Sequence, residues 1–230
     1  MTTVIAKTTV FIAVDSLWTD IFHNPVKTQT KKYIYSESEL YLFSGDHLPI
    51  LLEQALLIGL LDDNEYLRFY EFLDPEDVFG CLIVEESTGK LDASEGHAFD
   101  WNNGIAHTGS GGKFASDFYF HAERQHYKSK HGCNIDGALH HAFYWDRCSG
   151  LPIKKRIWKG EIFDNTEHPG LDYKEFVSRE IDQHFKGGIM NKTLRSSMRT
   201  SPSPNGVKIS VTEAKNRLER RKARLARKAA

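Results

Sequence analysis

Cysteine and methionine are scarce in this 230-residue chain, with three of each. The cysteines (Cys81, Cys133, Cys148) are odd in number and show no Cys-x-x-Cys spacing. That argues against a disulfide scaffold or a zinc ribbon and suits a reducing, cytoplasmic compartment, with the three as packing residues. No apolar run approaches the ~18 residues of a membrane-spanning helix. The N-terminus lacks a basic segment followed by an apolar stretch and a small-residue cleavage site, so no secretory signal is read. No internal repeat is visible. Gly109-Ser110-Gly111-Gly112 is not followed by Lys-Ser/Thr, which excludes a P-loop. His121, His126, His131, His140 and His141 crowd into 21 residues, but His121 and His126 are five apart, not the four that align two ligands on a helix. No metal and no cofactor is implied, and these histidines read as exposed or packing residues.

What is present is a split in charge. Residues 186–230 hold 13 Lys and Arg against 2 Asp and Glu, a net +11, while residues 1–185 hold 17 against 29, a net −12. An acidic body therefore carries a basic tail. The expected organisation is a domain over 1–186, a flexible Gly/Ser/Pro linker over 187–209, and a basic helix over 210–230 opened by a Ser210-x-x-Glu213 capping box.

Along the body, β-branched and apolar runs predict strands at 2–7 and 8–14, at 33–35 and at 39–43. Helical spacing follows at 48–61 and 65–73, then a hairpin over 79–84 and 90–99. A strand at 105–108 enters the glycine loop, helices follow at 113–127 and 135–145, then a strand at 153–158 and an amphipathic helix at 172–185. The order is strands, helices, strands, helices, strand. It predicts an α+β arrangement of two sheets between helical layers. Glu85-Glu86 and Asp62-Asp63 read as solvated acidic turns.

Chemistry gathers at the N-terminus. With Met1 removed, Thr2 carries a hydroxyl and a free α-amine, and an amine titrating near ~8 can take the hydroxyl proton at neutral pH. Downstream lie, in order, Ala13-Val14-Asp15-Ser16, Lys31-Lys32-Tyr33-Ile34, Phe43-Ser44-Gly45, Thr108-Gly109-Ser110-Gly111-Gly112 and Asp146-Arg147-Cys148-Ser149-Gly150. Each alone is an ordinary strand end, solvated pair or helix-entry loop. In this order, over roughly residues 2–160, they resemble the proteasome β-type subunits and the bacterial ATP-dependent threonine peptidase subunit, which are N-terminal-nucleophile hydrolases.

The resemblance implies a four-layer αββα sandwich, here with a C-terminal basic helical tail, and a catalytic set of Thr2, Asp15, Lys32, Gly45, Ser110, Asp146 and Ser149. Thr2 would be the nucleophile. Lys32 would ease formation of its alkoxide, with Asp15 keeping that lysine charged and oriented. The Gly45 N–H would face the oxyanion. Ser110 would sit beside the nucleophile, and Asp146 and Ser149 would order the α-amine. The resemblance also implies polypeptide substrates, homo-oligomeric rings and an ATP-dependent unfoldase as partner. Two features depart from the family: the Thr2–Asp15 segment is about three residues shorter, and the basic extension is foreign to it. A catalytically inactive structural or regulatory protein of the same fold is the alternative, and a small-amide amidase a weaker one. For the tail, the expectation is an electrostatic tether to nucleic acid or to an acidic protein surface, its own body or a neighbour's included. Its thin apolar stripe argues against a membrane.

Overall fold

The structure, a computed structural model, describes residues 2–96, 100–102, 104–125, 131–186 and 209–229. Strand β1 (Val4–Lys7) runs antiparallel to β2 (Phe11–Asp15), pairing Val4 with Val14 and Lys7 with Phe11. A three-residue turn joins them, with Thr9 left-handed at φ 61° and its N–H donated to Gly89 O. Two short elements follow, β3 (Trp18–Thr19) and β4 (Pro25–Val26), which form a ribbon of their own. Then come β5 (Tyr33–Ser36), β6 (Glu39–Gly45), α1 (His47–Leu57), α2 (Asp63–Tyr70), β7 (Phe79–Glu85) and β8 (Leu91–Gly96). The second half adds β9 (Asp100–Asn102), β10 (Ile105–Thr108), α3 (Gly112–Gln125), α4 (His131–Trp145), β11 (Ile153–Ile157) and β12 (Phe163–Asp164). Helix α5 (Leu171–Ile181) continues into a π-helical turn over Asp182–Lys186, and α6 spans Val211–Ala229.

Two antiparallel sheets result. The larger has the order β12-β11-β2-β1-β10-β9 and the smaller β5-β6-β7-β8. Their strands are apolar on both faces, and the period-2 alternation sorts side chains into separate cores. Ile5, Phe11, Ala13 and Ile105 pack with Ala115 and Tyr119 of α3 and Ile135 and Leu139 of α4. Their neighbours Val4, Ala6, Ile12, Val14 and Ala106 point the other way, against Tyr33, Leu40, Leu42, Leu82 and Val84 of the smaller sheet. The opposite face of that sheet, with Tyr41, Phe43, Phe79, Cys81 and Ile83, is covered by α1, α2, α5 and α6. Each fully buried large side chain in these clusters contributes about 1.5–3 kcal/mol relative to exposure.

Several expectations need correction. Asp62 is the N-cap of α2 rather than part of a solvated turn: it accepts from Glu65 N at 2.8 Å, and the Glu65 carboxylate reaches back to Asp62 N. Glu86 is likewise engaged, by Arg156 at 3.5 Å and His168 at 2.9 Å. Cys133 is exposed, whereas Cys81 and Cys148 are buried as packing predicts. His141 lies between the rings of Phe118 and Trp145, and the side chains of His126 and His131 lie outside the described residues. Most of the expected linker (187–208) also lies outside them.

The basic helix is not a free arm. Ile209, Ala214 and Leu218 join the α1–α2–α5 core. Arg217, 5% exposed, donates to the hydroxyls of Tyr66 and Tyr70 at 2.9 Å each. Arg224 pairs with the fully buried Glu39 at 2.9 Å, and Lys228 reaches the same carboxylate at 2.7 Å. Arg220 binds Glu95 and Lys222 binds Asp63. Of the surfaces expected for the tail, the structure shows it on the acidic surface of the chain's own body. The reason is electrostatic: Arg217, Arg220, Lys222, Arg224 and Lys228 meet carboxylates of the body at a contact that also buries apolar area.

Candidate active site

The strand ends β1, β2, β5, β6 and β10, and the turn after α4, meet at one edge of the two-sheet stack. Val4 pairs with both Val14 and Thr108, so Thr2 and Thr3 emerge between the ends of β2 and β10. Here the structure brings most of the expected residues together.

Asp15 is fully buried and its carboxylate collects four donors. Thr3 N binds Oδ1 at 2.8 Å, while Leu17 N and Gly150 N bind Oδ2 at 3.1 and 3.2 Å. Lys32 Nζ completes the set at 3.0 and 3.2 Å, and also donates to Leu17 O. Trp18 closes the pair from the side, its ring centroid 5.1 Å from Nζ. Burial pushes the Lys32 ammonium down from the ordinary lysine range, and Asp15 opposes that shift. It pushes the Asp15 carboxyl up, opposed first by Lys32 and then by the backbone donors. A buried ammonium with a depressed pKa is easier to deprotonate than a surface lysine, and that suits proton handling.

A second network lies across the first strand from Asp15. Asp146, in the turn after α4, accepts from Ser110 Oγ at 2.5 Å and from Ser149 Oγ at 2.6 Å, and its other oxygen accepts from Cys148 N at 3.1 Å. Ser149 Oγ in turn accepts from Thr3 Oγ1 at 2.7 Å. Thr3 therefore bridges the two carboxylate networks, through its N–H to Asp15 and its hydroxyl to Ser149. It was missing from the expected set, and a second threonine in a β-branched strand carries no local signal of such a role. Ser149, expected to order the Thr2 nitrogen, instead accepts from Thr3 Oγ1 and donates to Asp146.

Glycines make the approach close. A Cβ on Gly109, at φ 82°, would collide with Thr2 O, and one on Gly111 with Thr3 Oγ1. Gly45 ends β6 at φ 121°, and a side chain there would strike Val78 O. Ser44 links this strand to β10 through Thr108 Oγ1 at 2.7 Å, which ties the Gly45 corner to the Gly109 loop. The chain then enters α1, where His47 is buried, with Nε2 2.7 Å from Thr30 Oγ1 and its ring edge-on to Trp18 at 5.1 Å. Burial lowers its pKa to about 4, so the imidazole is neutral at physiological pH.

Thr2 itself is fully buried, and its Oγ1 has no hydrogen-bond partner among the described residues. A buried hydroxyl without a partner is unfavourable by about 1–3 kcal/mol. Among the described residues no group of three or more His, Cys, Asp or Glu is arranged to hold a metal.

No protein-family model matches the chain. No curated protein sequence matches it either. Solved structures do. Thiobacillus denitrificans BPH in complex with epoxomicin aligns at 12% identity and a TM-score of 0.47, over 73% of this chain and 100% of that one. Thiobacillus denitrificans BPH aligns at 15% and 0.44, over 68% of this chain and 97% of that one. Eukaryotic HslV from Trypanosoma brucei aligns at 14% and 0.44, over 67% and 98%. At TM-scores below 0.5 these alignments carry no argument, and the residue roles rest on the geometry above.

Proposed function

We propose that this chain is a threonine-type peptidase whose nucleophile is Thr2, active once Thr2 is freed from the residue before it. One observation carries the reading: the Lys32–Asp15 pair and the Ser110–Asp146–Ser149 network meet at Thr3, the residue directly after a fully buried Thr2 whose hydroxyl has no hydrogen-bond partner among the described residues. The alternation of side chains into three cores supports a four-layer αββα sandwich around it.

In this mechanism the free α-amine of Thr2 accepts the proton of its own hydroxyl as Oγ1 attacks the substrate carbonyl. The Lys32 ammonium, held by Asp15, stabilises the developing alkoxide, and the Gly45 N–H receives the oxyanion. The amine returns the proton to the departing peptide nitrogen, leaving an ester on Thr2. The same amine then activates water for deacylation. Asp146 holds Ser110 and Ser149 in place beside the nucleophile. The reading carries with it a homo-oligomeric assembly and an ATP-dependent unfoldase as partner. An exposed aromatic patch on α3 and α4 (Phe114, Tyr144, Trp145) supports an interface between copies.

The test is direct. Intact mass of the purified protein establishes whether Thr2 is N-terminal, and fluorogenic peptides report hydrolysis. Thr2→Ala lowers turnover at least ~1,000-fold in a chain beginning at Thr2. Retained Met1, or a Thr2→Ala variant as active as wild type, would refute the proposal. The non-catalytic assembly component of the same fold would then stand.

A further inference from the structure

Of the cations on α6, Arg217, Arg220, Lys222, Arg224 and Lys228 each hold a carboxylate or tyrosine of the body. Arg221 breaks this pattern. It is half-buried, its Nε is shielded from solvent and has no hydrogen-bond partner, and no ion pair is formed with any described residue. It borders an open cavity of about 460 Å³ between the β5–β6 turn, the end of α1, and α5. Lys174 of α5, a second cation without an ion pair among the described residues, lines the same cavity.

The rest of the wall has two parts. Leu56, Ile58 and Pro169 supply apolar surface. Tyr35 is capped by His168, stacked at 4.0 Å, and the Glu86 carboxylate is engaged by His168 at 2.9 Å and by the Arg156 guanidinium at 3.5 Å. Glu37 adds one negative charge to the wall, in a two-residue turn where both Glu37 and Ser38 are left-handed, at φ 51° and 61°. Positive φ at both positions is the type I′ geometry that a two-residue hairpin loop takes between β5 and β6.

We propose that this cavity binds a small organic oxyanion, with Arg221 and Lys174 holding the anionic group and the Leu56–Ile58 surface holding its apolar body. A guanidinium presents a planar fork that matches phosphate or carboxylate oxygens, and the volume suits a small organic molecule. The site is separate from the candidate active site: the two lie at opposite ends of α1, about 16 Å apart for an 11-residue helix. A bound anion would join α6 to α5 and to the end of α1.

Titration calorimetry and thermal unfolding of the full chain test this, with phenyl phosphate, inorganic phosphate and benzoate as probes. Phenyl phosphate or benzoate should bind wild type saturably and raise its Tm, the preferred probe telling a phosphate source from a carboxylate one. Arg221→Gln should weaken binding at least ~10-fold, and so should Lys174→Gln, whereas Lys215→Gln on the exposed side of the helix leaves it unchanged. Arg221→Gln breaks no ion pair, so its ligand-free Tm should stay within ~2 °C of wild type; if it unfolds, Lys174→Gln carries the test. Absence of saturable binding by all three probes at about 10 mM would overturn the proposal, as would undiminished binding in both variants.

Discussion

Replacing Lys32 by Met tests the buried pair beneath the candidate nucleophile. The substitution keeps most of the side-chain volume and removes the ammonium from a carboxylate that is fully buried. Breaking a buried ion pair from one side destabilises by about 3–5 kcal/mol, because the remaining charge is stranded. Asp15 retains three backbone donors, at 2.8, 3.1 and 3.2 Å, which places the Lys32→Met loss at the lower end, about 3 kcal/mol. Asp15→Asn is worse, about 4–5 kcal/mol: it leaves a buried ammonium and turns an amide N–H toward donors. The double variant should lose at least about 2 kcal/mol less than the sum, since no charge is then stranded.

Urea denaturation of all four proteins gives these values, and each ~3 kcal/mol appears as about 10 °C in Tm. The pH dependence has a definite sign. Without Lys32, burial holds the Asp15 carboxyl above its unfolded value of 3.8, with its largest opposing influence gone. The folded state then binds a proton at a pH where the unfolded state does not, so the Lys32→Met penalty shrinks as pH falls through the raised Asp15 carboxyl pKa. Strict additivity of the two substitutions, or a Lys32→Met penalty under about 1 kcal/mol, would refute the account of the pair as coupled charges.

Other perturbations have equally definite outcomes. His47, at about 4 in the folded state against 6.5 unfolded, makes stability fall as pH drops through that window, by about 3 kcal/mol in all. His47→Gln should remove that slope from the pH–stability curve. Gly45→Ala, forced onto φ 121° and Val78 O, should destabilise by roughly 3 kcal/mol or more and abolish peptide turnover. Arg224→Leu leaves the buried Glu39 with Lys228 as its one cation among the described residues, beside the Tyr41 hydroxyl, and should lower stability by about 3 kcal/mol in urea titrations. Adding Glu39→Gln should recover part of that loss.

Much of this molecule was legible before any coordinates. Strands β1, β2, β6 and β7 read as apolar runs because both faces are buried, and burial on both faces is what a layer between two others requires. Helices α1 to α5 announced themselves by spacing, with ends shifted by a few residues at most. The ribbon β3–β4 and the edge strands β9 and β12 did not, since two or three residues carry no period. Asp15, Lys32, Ser110, Asp146 and Ser149 were nameable because they punctuate elements in a recurring order.

What order along the chain cannot express is which side chain finally meets which. Thr3 and Ser149 are 146 residues apart, and their bond follows from the packing of β1, β10 and the turn after α4, not from either local sequence. The same holds for α6. Its composition fixed that it would be a basic helix, whereas its docking depends on Glu39, Glu95 and Asp63 lying on one accessible face of the folded body. Periodicity and charge are properties of a segment and survive in the unfolded chain. Partnership between distant groups exists only once the sheets have closed, because loop-closure entropy must first be offset by the whole core.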